Sequence, residues 1–188
     1  MLGLGSGIHL AQRPGLRLVA TYTSDFTSSA DGWAAHNVEG TLTLEAGENA
    51  PGHSSDDWLK GTFDTNQTHS SDLKKFTTLN IEVGDYWEVS WKIYLDNPSG
   101  GDFWDDGTYS DPGAEHDMTA VLGNIGNTGE FDIPQEEVYS AASSIRGPVT
   151  NASSGHAAHI RFTSNTDLPL AGAVFYIKDI VWKHYSAN

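Results

Sequence analysis

The chain has 188 residues with a formal net charge of −15, 38% hydrophobic and 11% aromatic residues, and no cysteine. Length and apolar content suffice for one domain with its own core, which excludes a disordered chain. The acidic balance repels phosphate backbones and argues against a nucleic-acid partner, the missing thiols remove cysteine catalysis and thiolate metal sites, and no apolar run reaches membrane-spanning length.

Residues 1–15, MLGLGSGIHLAQRPG, place Leu2, Leu4, Ile8 and Leu10 on a glycine-rich backbone that ends in an Arg13-Pro14-Gly15 turn signal. With no basic residue before its apolar ones, the segment is a poor signal peptide, so general secretory export is not expected. It reads either as a frayed terminus or as an arm that orders against a partner subunit, with those four apolar residues as its assembly contacts. The expected division is therefore an arm over 1–15 and one β-domain over 16–188.

Leu16 to Tyr22 alternates, with Leu16, Leu18, Ala20 and Tyr22 on one face, and predicts the first strand. A polar loop leads to Gly32-Trp33, then short strands follow at 40–44 and 58–63, separated by a loop over 45–57. Phe76, Leu79, Ile81 and Val83 mark the next strand, and Gly84-Asp85 is a hairpin cue. The clearest element is Tyr86 to Asp96, in which Trp87, Val89, Trp91, Ile93 and Leu95 share one face. Strict alternation over that length predicts a central strand buried on one side, with Trp87, Trp91 and Trp33 in the core.

Residues 97–117 are glycine- and acid-rich, with Phe103, Trp104 and Tyr109 embedded. A loop of this length predicts function or mobility. Strands are expected again at 118–122, 130–141 with an interruption at Pro134, 155–164 and 173–185. Nothing carries a helical period of ten residues, so the expectation is an all-β antiparallel sandwich.

Chemistry is thinly marked. The eight histidines are scattered, no spacing forces two carboxylates together, and no phosphate loop, dinucleotide fingerprint or serine elbow occurs, so an enzyme is not expected. Aromatic rings with neighbouring polar groups suit the C–H faces and hydroxyls of sugars. On that ground Trp58, Tyr86, Tyr94, Phe103, Trp104 and Tyr109 are the ligand candidates. For the 102–117 loop, the competing reading is a solvated acidic loop or one packed on a neighbouring subunit.

Two separated signatures, Asp25-Phe26-Thr27-Ser28-Ser29-Ala30-Asp31-Gly32-Trp33 and Val174-Phe175-Tyr176-Ile177-Lys178-Asp179-Ile180-Val181-Trp182, flank the turn-then-aromatic-strand run at 83–90. Together they resemble the jelly-roll carbohydrate-binding modules of the galactose-binding-like type over roughly residues 16–185. The resemblance implies a jelly-roll β-sandwich, glycans as partners and a structural calcium whose ligands would be Asp25 and Asp179. Lys178 stands where the family commonly has a second acid, which leaves a reduced or empty site as one alternative and a turn-capping or solvated Asp179 as another. The opening Met1-Leu2-Gly3-Leu4-Gly5-Ser6-Gly7-Ile8 resembles the starts of small virion proteins of marine tailed phages. That resemblance implies a homo-oligomeric virion component, such as a capsid decoration, head-fibre or tail-fibre protein. A free or secreted carbohydrate-binding module is the alternative.

Overall fold

The computed structural model describes residues 15–54, 57–65, 71–79, 81–96, 116–122, 126–127, 131–133, 136–150, 156–162 and 171–188. Among them are twelve strands in two sheets. The first sheet runs β10 (Tyr139–Ala142), β6 (Tyr86–Asp96), β12 (Val174–Ala187), β4 (Trp58–Phe63), β3 (Leu42–Glu48), with β1 (Leu16–Thr23) also paired to β12. The second runs β2 (Trp33–His36), β5 (Ser71–Leu79), β11 (His156–Phe162), β7 (His116–Leu122), β8 (Gly126–Asn127), with β9 (Phe131–Ile133) also on β7. Every pairing is antiparallel, and the chain changes sheet at most connections. This is the jelly-roll sandwich expected from the sequence.

The alternation in β6 explains how the two layers hold together. Trp87, Val89, Trp91, Ile93 and Leu95 are all buried, and β6 lies inside its sheet between β10 and β12. Against them pack Trp33, Leu73, Ile133, Ala158 and Ile160 from the second sheet, and Phe63, Phe175, Ile177 and Trp182 from the first. The rings of Trp87 and Trp182 sit 5.2 Å apart at 31°. Full burial of each large apolar side chain contributes about 1.5–3 kcal/mol, which makes this cluster the main source of stability.

β12 is the longest strand and changes neighbours along its length. Val174 to Ile177 pair with β4, whereas Val181 to Ala187 pair with β1. Between these two runs its register with β6 shifts from Lys178 to Val181, and Asp179 takes a φ of +52°. A bulge of this kind lets one strand bend and serve two partners on the same edge.

Four sequence expectations need adjustment. Leu18 does not share the inward face of β1, because a register shift between Leu18 and Ala20 turns Leu18 and Val19 outward, at 43% and 47% exposure. β3 extends to Glu48 into the expected loop. β2, of sequence WAAH, was hidden by its shortness and two alanines, which favour strands little. The stretch between the strands expected at 118–122 and 130–141 contains β8, two residues long and defined only by its pairing with β7.

Candidate functional site

After β1 the chain crosses to the second sheet through residues 24–32. Ser24 N–H donates to the Ile180 carbonyl at 3.0 Å, fixing the loop on β12. Asp25 Oδ1 then accepts from the Thr27 backbone N–H at 3.0 Å and the Thr27 hydroxyl at 2.8 Å, a side-chain-closed turn. Asp31 and Gly32 both take left-handed φ values, +48° and +76°, and Trp33 N–H closes the turn on the Ala30 carbonyl at 2.8 Å. An aspartate tolerates that conformation better than most residues, and glycine has no Cβ to oppose it. Trp33 then drops into the core and donates its indole N–H to Ser24 Oγ at 2.8 Å.

This loop, the end of β1 and Lys75 of β5 border an open cleft of about 660 Å³, lined by Thr21, Tyr22, Thr23, Ser29, Asp31, Gly32 and Lys75. Lys75 Nζ donates to Asp31 Oδ2 at 2.6 Å, with the lysine side chain only 15% exposed. The cleft thus offers three aliphatic hydroxyls, a carboxylate held by an ammonium and the phenol ring of Tyr22, which packs on the core. Its volume lies within the ~300–1,000 Å³ usual for small-ligand sites. A hydroxylated ligand finds donors and acceptors here. Among the described residues one carboxylate lines the cleft, and no second one stands there to form the pair that flanks a glycosidic bond during hydrolysis. Sequence reading missed this site. The run Ser28-Ser29-Ala30-Asp31-Gly32 was a signal for it, but Lys75, 44 residues from Asp31, joins only through the β2–β5 pairing.

The aromatic candidates divide by environment. Trp58 and Tyr94 are not exposed platforms, and the expectation that they present open rings is corrected: they are 1% and 7% exposed. They lie with Tyr176, Val174 and Ala50 in a second apolar cluster on the outward side of the first sheet. The connection from β3 covers it, placing the His53 ring 6.0 Å from Trp58 and 6.4 Å from Tyr94. Burial raises the phenol pKa of Tyr94, with the Asp96 charge adding to it, and burial likewise raises that of Tyr176. Tyr86 is half-buried, with its ring against Gly147. Phe103, Trp104 and Tyr109, and the arm residues Leu2, Leu4, Ile8 and Leu10, lie outside the described residues.

Asp25 and Asp179, the calcium pair implied by the resemblance, face different partners. The Thr27 backbone N–H, with its hydroxyl, holds the Asp25 carboxyl below its ordinary range. Asp179 pairs with Lys92 at 2.7 Å. Lys178 Nζ lies 3.0 and 3.2 Å from the two oxygens of Asp57. No group of three or more histidine or acidic side chains forms a metal-holding arrangement among the described residues. Calcium requires six to eight oxygens, and these side chains as placed do not supply such a shell.

No protein-family model matches the sequence, and no curated protein does either. Solved structures do. The CBM22-1 xylan-binding domain of Paenibacillus barcinonensis Xyn10C superposes with a TM-score of 0.54 at 13% identity, covering 95% of this chain and 100% of that one. The C-terminal family 22 carbohydrate binding module of Clostridium thermocellum Xyn10B gives 0.51 at 13% identity, covering 86% of this chain and 90% of that one. At such identities the likeness shows a shared fold, that of jelly-roll carbohydrate-binding modules.

Proposed function

We propose that this chain is a non-enzymatic virion structural protein whose sandwich binds glycans. The observation that carries the glycan part is the open cleft between β1, the 24–32 loop and Lys75, in which hydroxyls, one ion-paired carboxylate and a tyrosine ring line a space of about 660 Å³. A sugar matches that mixture, since its hydroxyls exchange hydrogen bonds with polar side chains while its C–H face rests on a ring. The shared fold with xylan-binding and related modules supports the same ligand class. Asp31, the one carboxylate among the described lining residues, is engaged by Lys75, which supports binding without turnover.

The virion part rests on the opening residues, whose Leu2, Leu4, Ile8 and Leu10 on a glycine-rich backbone suit an arm that anchors the sandwich to other copies or to other virion proteins. In that setting individually weak sugar contacts add up through many copies. Two measurements test the two parts separately. A glycan panel with the full chain should return at least one oligosaccharide that binds saturably; no binder at millimolar concentration would remove the glycan reading. Light scattering of the full chain should show an oligomer that becomes a monomer when Leu2, Leu4, Ile8 and Leu10 are all changed to Asp. An unchanged mass would remove the assembly role of the arm.

A further inference from the structure

The bulge in β12 leaves a notch between the end of β1 and the start of β4, where the two strands succeed one another along one edge. Acidic residues cluster around it by position: Asp25 two residues after β1, Asp57 directly before β4 and Asp179 in the bulge itself. The Asp57 charge opposes ionisation of Asp25, although the Thr27 backbone N–H and hydroxyl outweigh it and hold that carboxyl low. Uncompensated, such charges would repel one another next to the buried Trp58.

Two ammonium groups answer them. Lys178 Nζ reaches both oxygens of Asp57, at 3.0 and 3.2 Å, and stands 4.6 Å above the Trp58 ring, with its side chain only 15% exposed. Lys92, opposite Lys178 in the β6–β12 register, takes Asp179 at 2.7 Å. A cation so held by a carboxylate and an aromatic face is worth more than an exposed pair, because it is partly withdrawn from water. A divalent ion entering here would meet Lys178 and Lys92 at close range and find one oxygen of Asp25 already engaged by Thr27.

We infer that Lys178 is the built-in counter-ion of this notch, and that the sandwich is held there by an ammonium group in place of a structural calcium. Thermal melting of the full chain tests this in two ways. With EGTA, calcium or magnesium at equal ionic strength, the wild-type midpoint is expected to be the same in calcium as in magnesium; a rise specific to calcium would overturn the inference. In EGTA, Lys178→Met and Asp57→Asn are each expected to lower the midpoint, whereas Asp57→Asn added to Lys178→Met lowers it little further. Additive losses would show that Lys178 acts through packing alone and would equally overturn the inference.

Discussion

The ring of Phe175 on β12 lies directly against the Cα of Gly61 on β4, its partner in the antiparallel register. A Cβ at residue 61 would clash with the far edge of that ring, at Cζ. Gly61 is therefore the surface on which one of the largest fully buried side chains rests, even though glycine in mid-strand is otherwise unfavourable.

Gly61→Ala should consequently destabilise the protein by about 3 kcal/mol, the upper end of the usual overpacking cost, because Phe175 is fully buried and has no open side to move into. Urea denaturation would show it as a lower midpoint with an unchanged slope. Gly61→Ala combined with Phe175→Leu should recover part of the loss, since the smaller side chain vacates the space. A neutral Gly61→Ala would mean that the ring does not rest where described.

Stability should fall at both ends of the pH scale, for different groups. Asp25 and Asp64 are held below the ordinary carboxylate range, chiefly by the Thr27 and Thr41 backbone N–H groups respectively, the latter donating to Asp64 at 2.6 Å. Their folded values lie below the unfolded ones, so between the two the unfolded chain binds more protons. Their contribution is present above about pH 4 and is lost as pH falls through the folded values. Asp64→Asn should make the acid limb of a pH–stability curve shallower.

At the alkaline end the sign reverses. Burial pushes the Tyr185 phenol well above its usual range, and its hydrogen bond to Glu88 Oε1 at 2.7 Å adds to the effect; Tyr94 and Tyr176 are raised as well. Above about pH 10 the unfolded tyrosines ionise while the folded ones stay protonated, so the folded state binds more protons and stability falls as pH rises. Tyr185→Phe should cost about 1 kcal/mol at neutral pH through the lost hydrogen bond and should flatten the alkaline limb. Equal alkaline slopes for Tyr185→Phe and wild type would contradict this.

In the cleft, Thr23→Val keeps the shape of a β-branched residue on an exposed strand position and removes one hydroxyl, while Asp31→Asn keeps the outline of the loop and removes the charge that Lys75 neutralises. Both should leave the melting midpoint within a few degrees of wild type and weaken the bound oligosaccharide about threefold to tenfold, one hydrogen bond's worth of roughly 0.5–1.5 kcal/mol. Calorimetric titration with the glycan found on the panel reads this directly. Unchanged affinity in both variants would move the site elsewhere on the sandwich.

Much of the fold was legible because it follows from a local period. Trp87, Val89, Trp91, Ile93 and Leu95 announce a one-sided strand by spacing alone, and the structure places that strand inside the first sheet. The site was less legible because its parts are joined by tertiary geometry. Asp31 meets Lys75 only after β2 and β5 pair, and Trp58, which sequence position suggests is an exposed ring, is covered by the chain leaving β3. Likewise the outward turn of Leu18 depends on a one-residue bulge against β12, which alternation within β1 cannot reveal.

The buried end of β12 holds a histidine–carboxylate pair. His184, 5% exposed, directs Nε2 to Asp85 Oδ2 at 2.5 Å, and the same oxygen accepts the Glu82 backbone N–H at 2.9 Å. The other ring nitrogen, Nδ1, is buried with no hydrogen-bond partner among the described residues. Asp85→Ala would leave Nε2, like Nδ1, buried without a partner, at a cost of about 1–3 kcal/mol for a buried unsatisfied group, and would return the exposed Glu82 N–H to water. His184→Leu removes the need along with the imidazole, and leaves Asp85, whose side chain is 15% exposed, to Glu82 and water. The histidine change should therefore be the milder of the two, although it alters the larger and more deeply buried side chain. Urea midpoints of the two single variants decide the matter; a larger loss for His184→Leu would show that the ring contributes mainly by packing against Trp87, its cross-strand neighbour in the β6–β12 register.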